Sequence, residues 1–225
     1  MKDAYIIAGG SFNKKAFSAF LKKRKKKTKR DVCYIAADSG ISAFCDIGEQ
    51  PDFVVGDFDS ASVSDKAMVE TLAECGVPVI FLKPEKDDTD TEAALDIALR
   101  VTDGDSYIWG GIGTRVDHML SNIQILYKAL KAGRNAYLCD ARNFIQLCDR
   151  NFPRTILKSE QFGNFVSVIP MTALLEGLTL KGFKYELVNE SLCMGSSLGQ
   201  SNEIVADSAT ISVEAGVAIV VESRD

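Results

Sequence analysis

The first 140 residues or so alternate short apolar runs with longer amphipathic ones. That alternation restricts the fold more than any other feature of the chain. Ala4–Ala8, Val32–Ala37, Phe53–Val55, Val77–Leu82, Tyr107–Trp109 and Ala136–Cys139 read as strands. Helical patterns stand between them. Phe17, Phe20 and Leu21 share a face at i, i+3, i+4 spacing, Asp38-Ser39-Gly40 opens a further helix, and helices are expected around Asp65–Glu74, Thr91–Val101 and Val116–Ala132. Alternating strands and helices make β-α units, so the expected domain is α/β with a mostly parallel sheet. Ligands of such sheets bind outside the carboxyl ends of the strands.

The helical period fades after about residue 141. Short strands with turn residues between them follow: Phe144–Leu147, Phe165–Ile169, Leu174–Leu180, Tyr185–Leu187, Ala209–Val213 and Val217–Val221. An all-β C-terminal domain of sandwich or barrel type is expected. The division is placed at residues 1–145 and 146–225. A chain of 225 residues is long enough for two such cores without disulfide or metal staples.

The residues after each strand carry the chemistry. Asp38 follows the second strand and Gly56-Asp57-Phe58-Asp59-Ser60 the third. Lys83 and Asp87-Asp88-Thr89-Asp90 follow the fourth, and Gly110 through His118 follow the fifth. A parallel sheet gathers them at one edge. Clustered carboxylates repel one another unless a cation compensates. Mg²⁺ suits such ligands, keeps several waters and bridges substrate phosphates. A glycine-rich loop entering a helix offers N–H groups to an anion, and Arg115 adds a forked donor set. Together these suggest phosphoryl-type transfer. Each piece has a plainer explanation: an Asx turn at Asp57 and Asp59, a capping box at Thr89–Glu92, a tight turn at Gly110–Gly113, a surface pair of Arg115 and Asp117. The Walker and dinucleotide glycine fingerprints are absent.

Charge separates further possibilities. The chain holds 26 Lys and Arg against 31 Asp and Glu. Eight of the basic residues lie between Lys22 and Arg30; removing them leaves 18 against 31, a net of −13. An acidic body argues against a broad nucleic-acid footprint, and the basic run reads as a solvated helix end and loop. The single histidine, His118, excludes sites that need two. The six cysteines form no C-x-x-C, and the expectation is reduced, buried thiols. Ala4–Ala8 is too short for a signal-peptide core and no apolar run approaches a membrane span, so a soluble cytoplasmic protein is expected.

Five stretches carry a resemblance: Gly56-Asp57-Phe58-Asp59-Ser60, Asp87-Asp88-Thr89-Asp90, Gly110–His118, Gly182-Phe183-Lys184-Tyr185 and Ser196-Ser197-Leu198-Gly199-Gln200-Ser201-Asn202. In this order, across nearly the whole chain, they resemble the bacterial type of the thiamine pyrophosphokinase family. The resemblance implies transfer of pyrophosphate from ATP to thiamine, Mg²⁺, an α/β catalytic domain, a β-sandwich domain and a homodimer. From the acidic body and the short apolar runs, no nucleic-acid or membrane partner is expected. By position the resemblance makes Asp57, Asp59 and Asp90 the metal and phosphate-handling carboxylates. It makes Arg115 the charge stabiliser and Asp117 a substrate-orienting residue or base. Asp38, Ser39, Gly110, Gly111, Gly113 and Arg115 become the ATP contacts, and Tyr185, Ser201 and Asn202 the thiamine contacts. Thr114 stands where the family often has glycine. A Mg²⁺-dependent nucleotide pyrophosphohydrolase is the alternative.

Overall fold

The structure, a computed structural model, describes residues 1–59, 61–83 and 88–225. The chain forms two compact units, Met1–Ala141 and Arg142–Asp225.

In the first unit the order is β1 (Lys2–Ile7), α1 (Lys14–Lys27), β2 (Asp31–Ala37), a 3₁₀ turn at Asp38–Ile41, α2 (Ser42–Ile47), β3 (Phe53–Gly56), α3 (Val63–Glu74), β4 (Val79–Phe81), α4 (Asp90–Val101), β5 (Ser106–Trp109), α5 (Val116–Lys131) and β6 (Ala136–Cys139). The strands lie in the order β4-β3-β2-β1-β5-β6, and every neighbouring pair is parallel. Both faces of a parallel sheet are covered by helices, so its strands are continuously apolar. Ile6, Ile7, Ile35 and Ile108 are fully buried, each contributing about 2 kcal/mol of transfer free energy. Tyr5, Tyr107 and Tyr137 occupy one register across β1, β5 and β6, and their rings stack at 5.1 and 4.9 Å. Trp109 packs edge-on to Phe17 of α1 at 5.3 Å.

Sequence order and strand order part company at β1. The chain lays β2, β3 and β4 to one side, then crosses to lay β5 and β6 on the other. The carboxyl ends of β1 and β5 therefore flank the switch point, where a crevice opens.

The second unit holds β7 (Asn143–Cys148), β8 (Arg154–Leu157), β9 (Phe165–Pro170), β10 (Leu174–Lys181), β11 (Leu187–Cys193), β12 (Ser208–Ser212) and β13 (Ala218–Ser223). Strands β7-β13-β9 and β11-β10-β12-β8 pair antiparallel in two groups. Their inward residues, among them Val166, Val168, Leu178, Leu180, Ile211 and Val220, form one core. This is a sandwich. Two strands differ from the sequence expectation. β8 was not anticipated, and β11 runs over Leu187–Cys193 rather than Tyr185–Leu187. The alternation signal is weak in β11 because it is an edge strand, with Val188, Asn189, Glu190 and Ser191 all exposed.

Two surface expectations also need correction. Of six free cysteines only Cys33, Cys139 and Cys148 are buried; Cys45, Cys75 and Cys193 are exposed. The basic run is not merely solvated. Arg24 and Arg30 turn inward onto Asp3, which is 2% exposed. Among the described residues, no helix is long and apolar enough to cross a membrane.

Candidate active site

The crevice at the switch point is a cleft of about 540 Å³. Asp38, Ser39, Asp90, Gly111, Gly113, Arg115 and Asp117 line it, which gathers seven of the expected site residues. Gly9 and Gly10 after β1, Thr89, Thr114, His118, Ser121 and Asn122 line it too. Asp57, Asp59 and Gly110 do not.

The loop after β5 is shaped by backbone contacts. Gly110 adopts φ +72°, and a side chain there would run into the Ala8 carbonyl of β1's exit. Its own carbonyl accepts from the Gly10 N–H at 2.8 Å. On the other side Asn122 of α5 donates from Nδ2 to the Gly111 carbonyl at 2.8 Å. Among the described residues, the N–H groups of Gly111, Ile112, Gly113 and Thr114 find no protein acceptor. A row of free donors leading into a helix N-terminus is an anion-binding arrangement.

Carboxylates face that loop. Asp38 has a positive φ of 49°, an uncommon conformation for a side-chain-bearing residue. Its Oδ1 is buried without a hydrogen-bond partner among the described residues. Burial pushes its carboxyl above the ordinary value; the Ser39 N–H pulls it part of the way back, and the charges of Asp90 and Asp57 push it up again. Asp57 Oδ1 accepts the Asp59 N–H at 3.2 Å, so the Asx turn exists and coexists with this electrostatic coupling. Phe58 between them holds φ +55° and is buried, packing edge-on to Phe81 at 5.8 Å. Asp59 is exposed. Ser60 and Asp87 lie outside the described residues.

Thr89 accepts the Glu92 N–H at 3.2 Å, which gives half of the expected capping box. Glu92 does not return the bond to the cap. Its carboxylate binds Lys128 of α5 at 2.7 Å instead, because a full charge pair outcompetes a bond to a neutral N–H.

Among the described residues, no three His, Cys, Asp or Glu side chains form a metal cage. The donor chemistry nevertheless fits Mg²⁺, which uses one or two carboxylates, several waters and substrate phosphate oxygens. An unpartnered buried carboxylate oxygen beside two further carboxylates is a place where a cation lowers the energy. Sequence reasoning put Asp38 with the nucleotide; the structure also brings it into the carboxylate group.

Arg115 and Asp117 form a two-point pair, Nε to Oδ1 at 3.2 Å and Nη2 to Oδ2 at 2.5 Å. The Arg115 hydrogen bond holds the Asp117 carboxyl down at about 2. Both side chains are exposed at the cleft mouth.

The expected second-unit residues behave differently from one another. Tyr185 is 63% exposed, with Lys184 Nζ 5.7 Å from its ring centre. Asn202 is buried, and its amide is spent on the backbone. Its Oδ1 accepts from the Tyr185 and Glu203 N–H groups, and its Nδ2 donates to the Tyr185 carbonyl at 2.7 Å. It latches Tyr185 in place. Ser201 is exposed at φ +53°, its N–H bound to Ser167 Oγ.

The contributions that sequence reasoning missed as site residues are Gly9, Gly10, Ser121 and Asn122. Asn122 had a visible signal, a polar residue on the buried face that continues through Ile125, Leu126 and Ala129.

Comparison with known proteins agrees with this layout. Residues 25–138 match the thiamin pyrophosphokinase catalytic domain, and residues 154–218 match the thiamin pyrophosphokinase vitamin B1 binding domain. The chain is 34% identical to the thiamine pyrophosphokinase of Bacillus subtilis (strain 168) over 228 aligned residues, covering 100% of both chains. A crystal structure of Bacillus subtilis thiamine pyrophosphokinase superimposes with a TM-score of 0.85, at 32% identity and full coverage of both chains. The Candida albicans thiamin pyrophosphokinase shares the fold, with a TM-score of 0.76 at 16% identity, covering 99% of this chain and 89% of the other. The pyrophosphohydrolase alternative finds no support among these matches. Both units, and the order in which they occur, identify the chain as a member of the thiamine pyrophosphokinase family.

Proposed function

We propose that the chain transfers the pyrophosphoryl group of ATP to the hydroxyl of thiamine, giving thiamine diphosphate and AMP. The observation that carries this is the cleft at the β1/β5 switch point. It faces unpaired loop N–H groups and Arg115 toward carboxylates from two other strand ends.

The thiamine hydroxyl oxygen attacks the β-phosphorus and forms the new O–P bond. The bond from the β-phosphorus to the α,β-bridging oxygen breaks, its electrons leave with AMP, and the hydroxyl proton is released. Asp38, Ser39, Gly110, Gly111, Gly113 and Arg115 are the proposed ATP contacts, with the loop N–H groups on phosphate oxygens. Asp38, Asp57 and Asp90 would hold Mg²⁺, with Asp59 beside them; bound there, the ion would neutralise phosphate charge. Arg115 offsets charge on the transferring group. Asp117, its carboxyl held down at about 2 by the Arg115 hydrogen bond, orients Arg115 or the substrate. Catalysis is then mostly positioning and charge neutralisation.

Tyr185 stacks on the thiamine ring, with cation–π attraction to the thiazolium. Asn202 fixes its backbone and Ser201 stands close by in sequence. A homodimer is supported by Val188, Met194, Leu198 and Val205, all at least 60% exposed in the second unit. The acidic body favours a cationic substrate and disfavours nucleic acid, and the proposed location is the cytoplasm, off the membrane.

Incubation with ATP, Mg²⁺ and thiamine tests the proposal. AMP and thiamine diphosphate should appear in equal amounts. ADP as the co-product, or ATP consumption without thiamine, would overturn it.

A further inference from the structure

Asn122 lies on the buried face of α5, where the helical period calls for an apolar side chain, and it is 6% exposed. A polar group buried there is tolerated only with a partner. Its partner is the Gly111 carbonyl, and since a carbonyl only accepts, the amide nitrogen must face it. The site loop is tied at its start by two bonds, Gly10 N–H to Gly110 O from the β1 side and Asn122 Nδ2 to Gly111 O from the α5 side. Beyond them the N–H groups of Ile112, Gly113 and Thr114 are unpaired among the described residues. A peptide unit is planar, so fixing the Gly111 C=O also fixes the Ile112 N–H, which points the opposite way. The Asn122 bond therefore sets the orientation from which the free donors begin.

We propose that Asn122 is a positioning residue for this loop. It holds the Gly111–Ile112 peptide so that the following backbone donors stay turned toward the phosphates of a bound nucleotide. The proposal rests on the ATP reading above. Asn122 acts through Gly111 and leaves the reacting atoms to others.

Asn122→Asp tests it, because the carboxylate keeps the shape and removes the donor. ATP affinity is measured by titration calorimetry, KM for each substrate by steady-state kinetics, and loop order by amide hydrogen exchange. Asn122→Asp should weaken ATP binding and raise KM for ATP roughly tenfold, the scale of one lost buried hydrogen bond. KM for thiamine should stay within about twofold, since the change is one local bond. With ATP bound at saturation, exchange should quicken in residues 110–115 and not along α5. Should the carboxylate prevent folding, Asn122→Ala removes the same donor without adding charge and should show the same split. Unchanged ATP affinity in a folded variant overturns the proposal. So does an equal rise in both KM values with faster exchange throughout α5, which would mark a packing role alone. A wild-type chain that fails to bind ATP would overturn the function proposed above; wild-type binding matched by the variant overturns the Asn122 role only.

Discussion

Replacing Asp3 by alanine should destabilise the first unit strongly and leave its cleft intact. Asp3 Oδ1 accepts from Arg30 Nη1 at 2.9 Å and from the Asp105 N–H at 2.9 Å. Its Oδ2 accepts from Arg24 Nη2 at 3.4 Å. Arg24 also lies 4.9 Å over the Tyr107 ring. Alanine strands the Asp105 N–H and leaves both guanidinium groups with Asp105 as the remaining carboxylate, at 3.4 and 3.5 Å. Breaking a buried pair from one side costs about 3–5 kcal/mol. The arginines are 22% and 27% exposed, so water softens the loss toward the low end, about 3 kcal/mol. At about 2–4 °C per kcal/mol for a chain of this size, Tm should fall by roughly 6–12 °C. Asp3→Asn keeps an acceptor for the Asp105 N–H and should lose about half as much. Thermal denaturation followed by circular dichroism reads all three proteins. Lys22→Ala, on the exposed surface of the same helix, serves as control and should stay within about 0.5 kcal/mol of wild type. The network sits at the amino edge of β1 and β5, away from the loops, so KM for ATP well below Tm should not move. A Tm shift under about 2 °C, or an equal shift for Lys22→Ala, would refute the reasoning.

Asp38→Asn should have opposite effects on stability and turnover. The folded carboxyl is raised above its unfolded value, so the native state binds more protons in that window and stability falls as pH rises through the folded pKa. The amide removes this penalty: urea titrations should show stability gained at pH 7 and the pH slope lost, while turnover drops by at least about tenfold. Loss of stability at pH 7 would refute the penalty that burial, with the nearby Asp90 and Asp57 charges, places on the Asp38 carboxylate. Asp57→Asn should cut turnover far more than it changes folding stability, and so should Asp59→Asn; near-normal rates in both would remove them from the metal assignment. Asn202→Ala should raise KM for thiamine several-fold and spare KM for ATP, because it unlatches Tyr185; an unchanged thiamine KM would show that Tyr185 needs no latch. A chelator should abolish turnover, and added Mg²⁺ should restore it; activity in excess chelator would exclude the metal role.

Much of the site was legible because its residues stand at strand ends. Asp38, the Asp57 turn, Asp90 and the Gly110–His118 loop each follow an apolar run, and a parallel sheet puts such positions on one edge. Backbone strain marks the same places. Of the four non-glycine residues with positive φ among the described residues, Asp38 and Phe58 lie at strand ends and Ser201 lies in the second-unit motif. Other features could not be read. β11 shows no alternation because it is an exposed edge. The basic run is chemically uniform along the chain, yet Arg24 and Arg30 reach a buried carboxylate while Lys22 faces water. The bonds from the Asn202 amide to the Tyr185 backbone could not be read either, since hydrogen-bond partners 17 residues apart leave no periodic trace.

The amino-acid sequence by itself determined the two kinds of unit, their order and the candidate stretches at the strand ends. Side-chain period and turn residues are local properties, and they express themselves over a few residues. Only the tertiary structure decided that β1 lies between β2 and β5. That placement brings Gly9 and Gly10 against the Gly110 loop, opens the cleft at the switch point and sets Asn122 under it. Strand order depends on contacts between residues a hundred positions apart, and their energy resides in packing and paired charge that no single segment contains.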